Sequence, residues 1–227
     1  MKRHRFFLTA LALMLSVLCG CSENGGIEKG GSSLCAWFDG IGMKEDLSQQ
    51  SFVSLLDGYS LDGRALTDVA PYAFFENAYG SGCSGSCSSF SYGREESVGK
   101  YSMTVSYLTF SSEIDGVVLP YGIEIGDSLS TVLTAFGYPE QFSFVNDGEA
   151  AKLLSEKEGE ELMLRNLEVL SSETAYLYPY QLLYTEFYTV TGSDGGQISV
   201  DRSLDLYFSK GSDPTLSMVR ILVSEEQ

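Results

Sequence analysis

Few groups in this chain could do chemistry. It carries five cysteines, one histidine, 14 tyrosines and 31 Asp and Glu in 227 residues. Cys19 and Cys21 stand together in Leu18-Cys19-Gly20-Cys21, Cys83 and Cys87 in Gly82-Cys83-Ser84-Gly85-Ser86-Cys87-Ser88, and Cys35 alone. A thiolate can act as a nucleophile, pair with a second thiol or bind a metal. His4, the only histidine, lies in a basic N-terminal stretch that is expected to be cleaved off. The mature chain then has no Ser-His-Asp or Cys-His pair, no His-ligated zinc and no His general base. An enzyme here would have to run on carboxylates, Tyr, Lys or Cys. Asp57-x4-Asp62-Gly63 and Asp194-Gly-Gly lack calcium-loop spacing. Neither a P-loop nor a dinucleotide glycine pattern occurs. A glycosidase-like carboxylate pair leaves no local motif, so a carboxylate-based hydrolase acting on wall or host glycans stands as the alternative to a non-enzymatic role.

The first residues set the address. Lys2, Arg3, His4 and Arg5 precede a run from Phe6 to Leu18 that is apolar except for Thr9 and Ser16. A helix needs about 20 such residues to span a bilayer core, and this run is shorter. Basic, then apolar, then small is the order of a secretory signal. Leu18-Cys19-Gly20-Cys21 resembles the bacterial lipobox. The resemblance implies cleavage between Gly20 and Cys21, diacylation of Cys21 and a stable lipid anchor. A plain secretory leader is the alternative. The expected location is the cell membrane or outer membrane, facing the extracytoplasmic side.

Removing residues 1–20 would leave 11 Lys and Arg against 31 Asp and Glu, a net charge of −20. Such a chain is a poor nucleic-acid binder, because phosphates need a basic surface. It is also repelled by anionic lipid, so the acyl chains on Cys21 must hold it to the membrane. The partner expected beyond the membrane is a protein or an envelope polymer. For Cys35, Cys83 and Cys87 the expectation is one disulfide, Cys83–Cys87 or one of these with Cys35, with free thiols as the alternative. Two or three thiols without histidine make an incomplete zinc shell, so no metal and no cofactor is expected.

These groups must be placed by short elements. Residues 21–33 read as a Gly/Ser-rich tether. Residues 44–56 read as a helix stopped by Asp57-Gly58, while 66–79 fits helix or strand. Residues 101–110 alternate as a strand. Leu129, Val132, Leu133 and Phe136 make one apolar helical stripe, with Asp127 or Ser128 as cap and Gly137 and Pro139 as stop. This stretch resembles the SmpA/OmlA and beta-lactamase-inhibitor-like lipoprotein modules, through Gly126, Val132, Phe136, Gly137 and Pro139. The resemblance implies helices packed on an antiparallel sheet and used for binding or assembly.

Residues 149–158 read as a second helix, and 161–170, 176–190, 197–208 and 216–223 as strands joined by turns. Tyr180, Tyr184 and Tyr188 are candidates for a stacking surface, although Tyr is also an ordinary strand residue. The fold expected is α+β: short helices on an antiparallel sheet ending in a β-meander. Its halves would be 34–116 and 117–227. Gly40-Ile41 and Gly122-Ile123, each before a helix, raise the option that the two are related.

Overall fold

A computed structural model of the chain describes residues 48–98, 102–138, 150–191 and 195–226. The lipidation and cleavage residues Gly20 and Cys21, the tether, Cys35 and the start of the first expected helix lie outside these segments.

The chain opens with helix α1 (Gln49–Leu56), a two-residue ladder of β1 (Ser60–Leu61) with β2 (Arg64–Ala65), and the single turn α2 (Leu66–Val69). Four antiparallel strands follow: β3 (Ala73–Asn77), β4 (Gly80–Ser86), β5 (Phe90–Ser97) and β6 (Met103–Phe110). A 3-10 turn at Pro120–Gly122 leads into α3 (Leu129–Ala135). Five more strands complete the domain: β7 (Ala151–Lys157), β8 (Glu160–Asn166), β9 (Tyr180–Thr191), β10 (Gln197–Phe208) and β11 (Leu216–Glu226). All nine from β3 onward form one antiparallel sheet, ordered β3-β4-β5-β6-β11-β10-β9-β8-β7. Each meander thus contributes its last strand to the central β6–β11 contact. The fold is α+β with strand dominating. No helix among the described residues is long and apolar enough to cross a membrane.

Register explains the layering. Directly paired residues share a face, so a row can be followed from strand to strand. One row runs Tyr92, Leu108, Ile221, Leu204, Tyr184, Leu162 across six strands. Phe52 of α1 reaches Tyr92 at 6.4 Å between ring centroids, and Phe136, the residue closing α3, reaches Tyr184 at 5.9 Å. Both helices therefore lie on one face of the sheet. The neighbouring row, Phe90, Phe110, Val219, Leu206, Leu182 and Leu164, is also buried there.

Helix α3 is held at both ends. Ser128 accepts a hydrogen bond from the Thr131 amide, satisfying a free donor of the first turn. Gly137, at φ +88°, and Tyr138 close the helix with amide bonds to Thr134 and Leu133, a Schellman stop. The Leu129 amide bonds Pro214, and Leu216 bonds Asp127, fixing α3 to the β10–β11 turn.

Three expectations are corrected. The Gly/Ser-rich segment around Cys83 is a strand and not a cysteine loop. Gly82 lies under the Phe75 ring and Gly85 under Tyr92, so aromatic rings fill the space that side chains would take. While the alternative pairing with Cys35 lies outside the described residues, Cys83 and Cys87 are not bonded to one another. Four residues of extended chain separate them by about 13 Å, whereas a disulfide needs Cα atoms within about 7 Å. Residues 151–157 form β7, not a helix. They pair with β8 across a turn at Glu158-Gly159, with Gly159 at φ +79°. Ladder pairing at the sheet edge overrides a composition rich in Lys, Leu and Glu that favours helix.

Candidate functional site

Beside the two apolar rows, on the same helix-covered face, runs a third row: Arg94, Ser106, Val223, Arg202, Glu186 and Glu160. The alternation that buries Tyr92 and Leu204 also buries Arg94 and Arg202, two residues away on the same strands. Arg94 and Arg202 are 5% and 3% exposed and Glu186 is 8% exposed. Buried charges persist only where paired or hydrogen-bonded. Arg202 donates from its Nη2 to Glu186 Oε2 at 2.8 Å and from Nε at 3.2 Å, a forked pair. Tyr184 donates to the other Glu186 oxygen at 3.2 Å. The Arg202 guanidinium also lies 5.2 Å from the centre of the Tyr188 ring. Burial raises the Glu186 carboxyl above the ordinary range, outweighing the pull of Arg202. Burial also raises the Tyr184 hydroxyl strongly, with the charge of Glu186 adding to the rise. Arg94 donates to Ser106 Oγ at 2.9 Å, and its Nε lies 3.5 Å from Glu96 Oε1, an ion-pair distance without an aligned hydrogen bond.

Of the three tyrosines expected at a binding surface, all lie on the helix side of β9 and are partly buried. Tyr184 alone lines a crevice, with Tyr121, Phe136, Leu162, Glu160 and Lys157. Tyr121 adopts φ +61°, a left-handed conformation that costs a non-glycine residue about 1–2 kcal/mol, and its ring packs 4.8 Å from Phe136. The crevice holds about 20 Å³, the space of a single water. As it stands it admits no substrate.

A larger groove lies at the opposite end of the sheet. About 620 Å³ is bounded by the start of α1 and the edge strand β3, with Ser48, Gln49, Phe74, Glu76, Ser81 and Glu96 on its wall. Glu76 and Glu96 are both directly paired with Ser81, one from each side. Two strand spacings put the Cα atoms of these residues about 10 Å apart. The Gln49 amide contacts Ser81 Oγ at 2.9 Å, tying the helix to the sheet.

The cysteines sit nearby without forming a centre. Cys83 is buried, and burial raises its thiol above the ordinary range. That environment suppresses thiolate and so nucleophilicity. Among the described residues no three His, Cys, Asp or Glu side chains cluster to hold a metal.

Among the described residues no α-helix covers the other face of the sheet. Val105, Tyr107, Leu183 and Met163 are half-buried there, and Met103, Leu153 and Phe187 are 42%, 47% and 45% exposed. Asp205 lies on this face, paired in register with Arg220, and only 8% exposed. Tyr207 donates to its Oδ2 at 3.3 Å. Burial raises the Asp205 carboxyl and pushes the Tyr207 hydroxyl up to about 12. A small apolar cluster of Leu167, Ala175 and Tyr207 covers this corner.

Comparison of the chain with protein-family models, with curated proteins and with solved structures finds no match in any of the three. Function is therefore read from these surfaces alone. The buried Arg202–Glu186 pair was readable in principle. Glu186 falls in phase with Leu182 and Tyr184, and Arg202 with Val200 and Leu204. A charge on the apolar phase of each of two adjacent strands signals a buried pair.

Proposed function

We propose that this protein is a lipid-anchored cell-envelope lipoprotein whose α+β domain binds or assembles with another macromolecule and catalyses no reaction. The observation that carries the binding role is the uncovered face of the nine-stranded sheet. Met103, Leu153 and Phe187 expose large apolar side chains there, among partly buried neighbours. Exposed apolar surface on a sheet whose other face is already packed is the usual mark of an interaction site. The anchoring role rests on Leu18-Cys19-Gly20-Cys21. The SmpA/OmlA and beta-lactamase-inhibitor-like resemblance implies helices packed on an antiparallel sheet, and helix followed by strands occurs twice along the chain, which supports the option that 34–116 and 117–227 are related halves.

Two measurements test this. Cys21→Ser should release the protein from the membrane fraction or leave it unprocessed; unchanged retention and processing would end the lipoprotein reading. Pull-down of the native lipoprotein from membranes should enrich a partner over a tether-only control, and no enrichment would end the binding reading.

The second reading, a carboxylate-based glycan hydrolase, is favoured by one observation: Glu76 and Glu96 face a single groove. Against it, Glu96 is engaged by Arg94 and β3 is exposed along its whole length. Release of reducing ends from peptidoglycan, lost in Glu76→Gln, would establish this reading over the first.

A further inference from the structure

The two edges of the nine-stranded sheet are built differently. Strand β7 is guarded. It carries Lys152, Glu156 and Lys157, and its register slips between Leu153 and Ser155. Charges and a bulge are the standard devices that stop a sheet edge from recruiting another strand. Strand β3 has no bulge and a single charge, Glu76. Its sequence is Ala73-Phe74-Phe75-Glu76-Asn77, every residue is exposed, and its register with β4 is unbroken. Tyr72, Phe74, Phe75 and Tyr79 are 43%, 49%, 39% and 82% exposed around it. β3 is the last strand in the sheet order, so among the described residues its outward N–H and C=O groups have no strand beyond them.

We propose that β3 is a docking edge that takes an extended, basic peptide segment of a partner protein as a tenth strand. This deepens the binding reading above and rests on it. Strand addition draws affinity from main-chain hydrogen bonds and specificity from alternate side chains. Here the alternation is set by β3. Phe74 and Glu76 point to the helix side, where the groove with Glu96 lies, and Phe75 points to the open side across Gly82. A residue of the added strand beside Glu76 faces its exposed carboxylate, which a Lys or Arg side chain would satisfy; Glu96, two strands further in and 3.5 Å from Arg94, adds to the negative field of the groove. A residue beside Phe75 faces an aromatic ring, which an apolar side chain would cover. The matching segment alternates basic and apolar residues. Net charge selects the same occupant: at −17 the chain attracts a basic segment and repels a second copy of itself.

The test uses the full-length chain in detergent micelles and two fluorescent peptides, Lys-Val-Lys-Phe-Lys-Val and its charge-reversed form Glu-Val-Glu-Phe-Glu-Val. The basic peptide should bind saturably and at least tenfold more tightly than the acidic one. Glu76→Lys, at an exposed position, should leave Tm unchanged, weaken the basic peptide at least tenfold and strengthen the acidic one. A proline in place of the central Phe of the basic peptide should abolish binding, since it removes a ladder donor. Equal binding of both peptides, binding insensitive to Glu76→Lys, or concentration-dependent dimerisation that blocks the peptide would overturn the proposal. Membrane fractionation of the same preparation reads lipid anchoring separately, so failure here leaves the anchoring result standing.

Discussion

At the scale of single residues, the glycines of β4 show how this sheet is packed. A Cβ on Gly85 would lie 2.5 Å from the Tyr92 hydroxyl and 2.6 Å from the Ala70 carbonyl. Those two atoms are hydrogen-bonded to one another at 2.6 Å, joining β5 to the end of α2. Added bulk would break that bond or push the strand from the helix. Overpacking a tight core costs about 1–3 kcal/mol, and a buried carbonyl left without its donor about 1–3 kcal/mol more. Gly85→Ala should therefore lower stability by about 2–6 kcal/mol in urea denaturation. Gly122→Ala should cost less, because nothing lies within 4 Å of its Cβ and only the positive φ of +67° is strained. Equal losses in the two variants would show that backbone conformation, and not the Tyr92–Ala70 contact, fixes Gly85.

At the scale of elements, α3 is the best-specified piece of the chain. Its boundaries are written in Ser128 and Gly137, and both play the expected roles. Gly137→Ala forces a side chain into φ +88° at the Schellman stop, and should cost about 1 kcal/mol, read as a drop in the urea midpoint at unchanged slope. A loss below experimental error would mean that the contacts of Phe136 alone hold the helix end. The C-terminal meander was equally legible, because glycines and Pro214 punctuate alternating runs. Two strands were not. β4 looks like a loop because Phe75 and Tyr92, distant in sequence, supply the volume that its glycines lack. β7 looks like a helix because pairing partners 3 to 14 residues further on are invisible to local preference. The same blindness hid much of the candidate surfaces. Tyr184 was visible as a strand tyrosine, but its burial beside Glu186 depends on α3 arriving over β9. The docking character of β3 depends on its place at the end of the sheet, which local pattern does not encode.

At the scale of the whole molecule, charge and burial act on stability in the same direction. Glu186, Asp201, Asp205 and Glu225 are all raised above the ordinary carboxylate range, each chiefly by burial. A carboxyl raised in the folded state holds its proton at a pH where the unfolded chain has lost it. Its contribution is full below the unfolded value and lost as pH climbs through the folded one. Net charge of −17 adds repulsion that grows over the same interval. Tm should therefore be highest on the acid side of neutrality and fall as pH rises through the raised values of these carboxyls. Salt separates the two causes, since about 1 M screens exposed charges beyond about 3 Å but reaches buried ones far less. Asp205→Asn keeps the shape and removes one buried charge. It should flatten the decline by about 1.4 kcal/mol for each pH unit by which that carboxyl is raised, and the difference should persist in high salt. If Tm instead climbs toward pH 8, or if high salt abolishes the difference between wild type and Asp205→Asn, the pH response comes from surface repulsion and not from the enclosed carboxyl beneath Tyr207.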